Sequence, residues 1–99
     1  MITIRLGGEE RGSFLGSRFT AKHLREEIER ALRSGEQVAL DFTGIKSVTD
    51  SFVDELLGAL IATADRDVLP LLIFKGCTPS VRTAIETLLH EVTARRGGG

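Results

Sequence analysis

The sequence predicts an α/β domain in which a mixed, mostly parallel sheet carries about three helices. Two apolar runs without alternation, Val38-Ala39-Leu40 and Leu69–Phe74, have the pattern of strands covered on both faces. Apolar stripes at spacings of three and four separate and follow them, the period of a helix packed along one side. Alternation of strand and helix in this order gives a parallel sheet with right-handed crossovers.

Taken in order, Ile2-Thr3-Ile4-Arg5-Leu6 alternates apolar and polar, as a half-buried strand does. Gly7–Gly12 is turn material, and Ser13–Gly16 is placed as a short return strand that would complete a hairpin. Ser17 and Thr20 both suit a helix N-cap, because each hydroxyl can accept an unpaired backbone N–H. Ala21, Leu24, Ile28, Ala31 and Leu32 then form one stripe of the first helix. Glu26–Arg30 and Glu29–Arg33 are expected as i,i+4 pairs on its surface, and Gly35 as its left-handed stop. Gln37–Phe42 is the second long strand. Ser51–Ala64 is the second helix, with Phe52, Val53, Leu56, Leu57, Leu60 and Ile61 on its apolar face. Gly58 inside it costs about 1 kcal/mol relative to Ala, which marks a close contact between helix and sheet. Asp65-Arg66-Asp67 is a polar link, and Leu69–Phe74 is the third strand, with Pro70 at its start or on an unpaired edge. Thr78-Pro79 is an N-cap followed by Pro at the first helical position, opening a helix with Val81, Ala84, Ile85, Leu88, Leu89 and Val92 on one side.

The chain has 99 residues, which suits one domain, read here as 1–94 with a flexible tail at 95–99. Its composition, 41% hydrophobic and 27% charged, is that of a globular protein and excludes wholesale disorder. Thirteen basic residues face 14 acidic ones, for a formal charge of −1, so no net basic face invites a nucleic acid. The single Cys77 excludes an internal disulfide and argues against a cysteine zinc site. No apolar stretch approaches the roughly 20 residues that span a bilayer, and the N-terminus lacks a signal-peptide pattern. A cytoplasmic protein without membrane contact is the simplest expectation.

The corner Val48–Glu55 is where a functional surface is expected. Ser51 has two readings that the sequence leaves open. It can cap the second helix, with Asp54 completing a Ser-x-x-Asp box, although Thr49 or Asp50 can cap equally well. Alternatively it is an exposed hydroxyl open to phosphorylation, which would add roughly −1.5 to −2 charges beside the positive end of the helix. Asp50, Asp54 and Glu55 would make such a patch sharply more anionic and able to repel a partner of the neutral form. Asp41, Asp50, Asp54 and Glu55 can also be read as ligands of a hard cation. Such a site wants about six oxygens on a flexible loop, and helix-dipole stabilisation accounts for Asp54 and Glu55 more simply. His23 and His90 have no ligand or triad partner at useful spacing and are expected at the surface. Cys77 precedes a helix start, where a thiol pKa can be lowered, but no nucleophile motif surrounds it. The glycines match no phosphate-binding loop. Neither catalytic residues, a metal nor a cofactor is expected.

Leu40-Asp41-Phe42-Thr43-Gly44-Ile45, followed by Val48-Thr49-Asp50-Ser51, resembles the core motif of STAS domains, the sulfate-transporter and anti-sigma-factor-antagonist superfamily. There a strand leads through a short loop to Asp-Ser at the start of a helix. Phe74–Val81 is similar to the next strand-to-helix segment and Gly12–Ile28 to the beginning of that fold, so the likeness runs over residues 12–92. Ser51–Gly58 is most similar to a bacterial STAS-like group whose function is largely undefined. The resemblance implies a small STAS-like sandwich and a non-enzymatic regulatory module. It places Ser51 where kinases of the anti-sigma type phosphorylate, with Asp50 as the preceding acid. The implied partner is a protein: a serine kinase, an anti-sigma-type ATPase or a similar regulator. Asp41, Thr49, Asp50, Phe52, Asp54 and Glu55 are expected to meet it. Where that superfamily continues Asp-Ser with a small residue and Gly-Leu-Gly, this chain has Phe52-Val53-Asp54-Glu55.

Two other classes of function stay open at this point. A small-ligand or nucleotide-binding module would use the carboxyl ends of the strands. A homodimer or larger homo-oligomer would use a sheet edge.

Overall fold

A computed structural model describes residues 1–8, 12–64 and 67–97, the last three by backbone alone. Strands β1 (Ile2–Arg5), β3 (Val38–Asp41) and β5 (Leu72–Lys75) form a parallel sheet in the order β1-β3-β5. Ile4 pairs with Leu40, and Leu40 with Phe74, so these side chains share the face turned to the core. On the other face Thr3, Arg5 and Lys75 are exposed. The central strand β3 is buried at Val38, Ala39 and Leu40, as its unbroken apolar run requires, whereas β1 and β5 each keep residues open to solvent.

The expected hairpin is replaced by a different pairing. β2 (Phe14–Leu15) lies parallel to β4 (Ser47–Val48) in a separate two-stranded sheet, a partner strand that the sequence pattern between Phe42 and Ser51 does not announce. Gly8 and Gly12 make one isolated antiparallel bridge, and the turn residues 9–11 lie outside the described residues. A return strand of two residues offers too few ladder bonds to hold β1 by itself.

Helix α1 (Arg18–Leu32) buries Ala21, Leu24, Ile28 and Leu32. Ser17, rather than Thr20, caps it by accepting the amides of Phe19 and Thr20 at 3.1 and 3.3 Å. Gly35 supplies the left-handed stop at φ +81°. The anticipated Glu29–Arg33 pair is absent, because Glu29 instead faces Arg25 at 3.9 Å.

Residues 50–63 form one continuous helix in three parts: α2 (Asp50–Val53), a π-helical turn (Asp54–Gly58) and α3 (Ala59–Thr63). All six residues of its expected apolar face are buried. The third strand is shorter than its sequence suggests. Leu69–Leu71 is a 3₁₀ turn, with the Leu71 amide on the Val68 carbonyl at 2.9 Å, because Pro70 cannot donate to a ladder. Of the link before it, Asp65 and Arg66 lie outside the described residues. Helix α4 (Pro79–Gly97) is capped by the Thr78 hydroxyl, which accepts the Val81 amide at 3.2 Å. Gly98 and Gly99, the end of the expected tail, lie outside the described residues.

Candidate functional site

The corner between β4 and α2 is pinned by Thr49. Its hydroxyl accepts the Phe52 amide at 3.0 Å and donates to the Gly16 carbonyl at 3.2 Å, while its own amide reaches the Leu15 carbonyl at 3.0 Å. One residue therefore caps the helix and ties it to the β2–α1 connection. Ser51 is not the cap, and the Ser-x-x-Asp box does not form. It sits in the first turn of the helix, exposed, and its hydroxyl makes no hydrogen bond among the described residues.

Ser51 opens onto a groove of about 290 Å³ between this helix and α4. Arg18 of α1, Asp50 and Asp54 beside the serine, and Thr87 and Glu91 of α4 share its lining. Arg18 stands 3.6 Å from Asp54 and 3.9 Å from Glu55. Among the described residues, Asp50 and Glu91 have no cation within ion-pair distance. Among the described residues, three carboxylates face one guanidinium in the lining, which makes that part of the groove anionic.

The other residues expected at this surface separate into different roles. Phe52 is fully buried, so it anchors the corner from inside and offers no contact to a partner. Glu55 is turned toward α1, where Arg25 binds its carboxylate and also donates to its carbonyl at 3.3 Å. That carbonyl lies in the π turn, whose extra residue sends the Ala59 amide to Asp54, five residues back, instead of four. Gly58 closes the turn. A Cβ there would lie 2.8 Å from Asp54 Oδ1 on the same helix and at an ordinary 3.6 Å from Leu88 Cδ1 of α4, so the tight neighbour is the helix's own Asp54 and not the sheet.

Asp41 is not part of the groove lining. At the end of β3 it accepts the Thr43 hydroxyl at 2.6 Å and the Thr43 amide at 2.9 Å. Those bonds, with Arg5 and Lys75 in register on either side, hold its carboxyl below the usual carboxylate range. The strand ends, which the alternative small-ligand reading would use, are tightly packed around the same loop. A Cβ on Gly7 would lie 3.0 Å from the Thr43 carbonyl, and one on Gly76 would collide with the Thr43 hydroxyl and lie 2.8 Å from its amide.

Cys77 is half-buried in the loop before α4. Partial burial pushes its thiol up, overcoming the opposing pull of Arg82, so a helix start nearby does not activate it. His23 and His90 are exposed, as their sequence contexts suggest. No group of three or more His, Cys, Asp or Glu among the described residues could hold a metal ion. No helix among them is long and apolar enough to cross a membrane.

A family model described as a STAS-like domain of unknown function matches residues 20–82. The chain belongs to this STAS-like family. The matched span of the STAS-like domain contains most of α1, the central strand β3, the Thr49–Ser51 corner, and β5 with the start of α4. Comparison with curated proteins and with solved structures found no match. Sequence reasoning missed Arg18, Arg25, Thr87 and Glu91, which carry no local motif and become neighbours of the corner only through helix packing. The π turn had one signal, the glycine in an otherwise apolar helix.

Proposed function

We propose that this STAS-like domain is a non-enzymatic regulatory module whose protein partner docks on the Asp50-Ser51 corner, and that phosphorylation of Ser51 resets that binding. The supporting observation is the release of Ser51 from capping. With Thr49 holding the helix end, the Ser51 hydroxyl is exposed beside a groove and free of structural duty. A phosphate there would add roughly −1.5 to −2 charges and considerable bulk to a groove already lined by Asp50, Asp54 and Glu91. Either effect changes what the groove can accept without disturbing the fold. The partner in this reading is a serine kinase, an anti-sigma-type ATPase or a related cytoplasmic regulator.

Incubation with the cognate kinase and ATP, followed by intact-mass measurement, is expected to add one phosphate that Ser51→Ala abolishes. Partner affinity is expected to differ between Ser51→Ala and Ser51→Asp. Absence of the phosphate, together with equal binding by both variants, sinks the proposal.

A further inference from the structure

Two of the large apolar side chains that the fold leaves in solvent stand next to this corner. Phe14 is 58% exposed and Phe19 is 72% exposed. Phe14 is tied to the corner through Gly16. A Cβ built on that glycine would meet Phe14 Cε2 at 2.8 Å and Thr49 Cγ2 at 3.2 Å, so ring and methyl converge over the bare glycine backbone. Thr49 directly precedes Asp50 and Ser51. Phe19 follows Arg18, the groove's guanidinium, and its ring stands edge-on to that of His23, with centroids 4.5 Å apart. The segment from Phe14 to Phe19 thus carries two solvent-facing aromatic rings, one converging with Thr49 at the corner and one next in sequence to the groove's Arg18. Core packing explains neither ring. A buried Phe stabilises by roughly 1.5–3 kcal/mol relative to an exposed one, and these two forgo most of that.

We propose that Phe14 and Phe19 form the apolar half of a docking surface for a basic, amphipathic protein segment. An aliphatic or aromatic side chain of that segment covers the two rings, and a Lys or Arg enters the groove beside Asp50, Asp54 and Glu91. Charge complementarity selects this occupant: the carboxylates of Asp50 and Glu91, which have no ion-pair partner among the described residues, disfavour an acidic segment and give a cation its counter-charge. Exposed aromatics supply the desolvated anchor that carries most of the affinity in small interfaces. The proposal rests on the reading of the corner as a protein-binding site. It adds two residues that precede the Asp-Ser motif, and it names the chemistry of the partner.

The test is selection of a random peptide display library on the full chain. Enriched peptides are expected to combine a large apolar residue with Lys or Arg, and their affinity to fall as salt rises. Phe14→Ser and Phe19→Ser are each expected to weaken the best peptide by about tenfold or more. Because both rings are already exposed, circular dichroism should show both variants folded. Asp50→Asn with Asp54→Asn should weaken binding and flatten its salt dependence. Enrichment of acidic peptides, no enrichment, or peptides that bind the Phe variants undiminished would overturn the proposal. A dimer seen by sedimentation and broken by Phe19→Ser would overturn it in favour of a second copy. Peptide binding lost in the Phe variants but indifferent to Ser51→Ala and Ser51→Asp would leave this surface standing and remove the phosphorylation switch.

Discussion

The Thr49 hydroxyl accepts the amide of Phe52 at 3.0 Å, and this bond decides what Ser51 is free to do. A helix start has several unpaired amides, and any nearby hydroxyl can compete for them. Thr49 wins because it has the extended backbone of a cap, φ −88° and ψ 158°, while Asp50 and Ser51 already lie within the helix. Thr49→Ala should therefore cost about 1–2 kcal/mol in urea unfolding, and Ser51→Ala should stay within about 0.5 kcal/mol of the parent. A larger loss from Ser51→Ala would return the serine to a structural role.

The carboxylate of Asp41 links protonation to folding. Its pKa is lowered in the fold, first by the Thr43 hydroxyl and then by the Thr43 amide. Stability from a lowered carboxylate pKa is present above the unfolded value and is lost as pH falls through the folded one. Asp41→Ala should be less stable than the parent at pH 7, with the gap narrowing as pH drops below the ordinary Asp value of 3.8. Paired urea titrations across pH 7 to 2 measure it, and a gap independent of pH would count against the linkage.

Gly76 should not tolerate a side chain. Its φ is +69°, and a Cβ would press against the Thr43 hydroxyl and stand 2.8 Å from the Thr43 amide. Gly76→Ala combines left-handed strain with that clash and should destabilise by about 1–3 kcal/mol. At Gly8, where nothing lies within 4 Å of the added carbon, the same change should be mild. Thermal melts of the two variants compare them directly.

Arg25 bridges α1 to the π turn through both the carboxylate and the carbonyl of Glu55, with its side chain only 17% exposed. Hydrogen bonds to charged groups that are shielded from solvent contribute about 1.5–3 kcal/mol, more than a surface pair. Arg25→Ala should lose stability in that range and speed amide hydrogen exchange selectively in Asp54–Gly58. Unchanged exchange there would show that the turn holds without the arginine.

The Cys77 thiol should react slowly. Burial raises its pKa, which depletes the thiolate that carries the nucleophilicity. Alkylation by iodoacetamide at pH 8 should be slower than for a cysteine in an unstructured peptide, and acceleration should come only above the usual thiol pKa. A faster reaction than the peptide's would contradict the burial argument.

Local pattern alone was enough for the parallel α/β class, the positions of the long helices, and the cap at Thr78, while it left Ser17 and Thr20 both open at the start of α1. Each of these depends on a few consecutive residues: apolar spacing, a hydroxyl before the stripe, or a proline at the first turn. The buried faces of α1 and of the helix from Asp50 agree with their stripes, with Ala31 of α1 only half-buried. Relations between distant segments were decided only by the tertiary structure. β2 left β1 for β4 because two residues find a ladder wherever the packed chain brings an edge. Thr49, not Ser51, is the cap, and the Gly16 carbonyl, 33 positions away, also holds its hydroxyl. Phe52 moved from a suspected contact to the core, and Arg18, Thr87 and Glu91 joined the groove, by the rotation of whole helices against one another. Periodicity says which side of a helix is buried; only packing says which neighbours the other side meets.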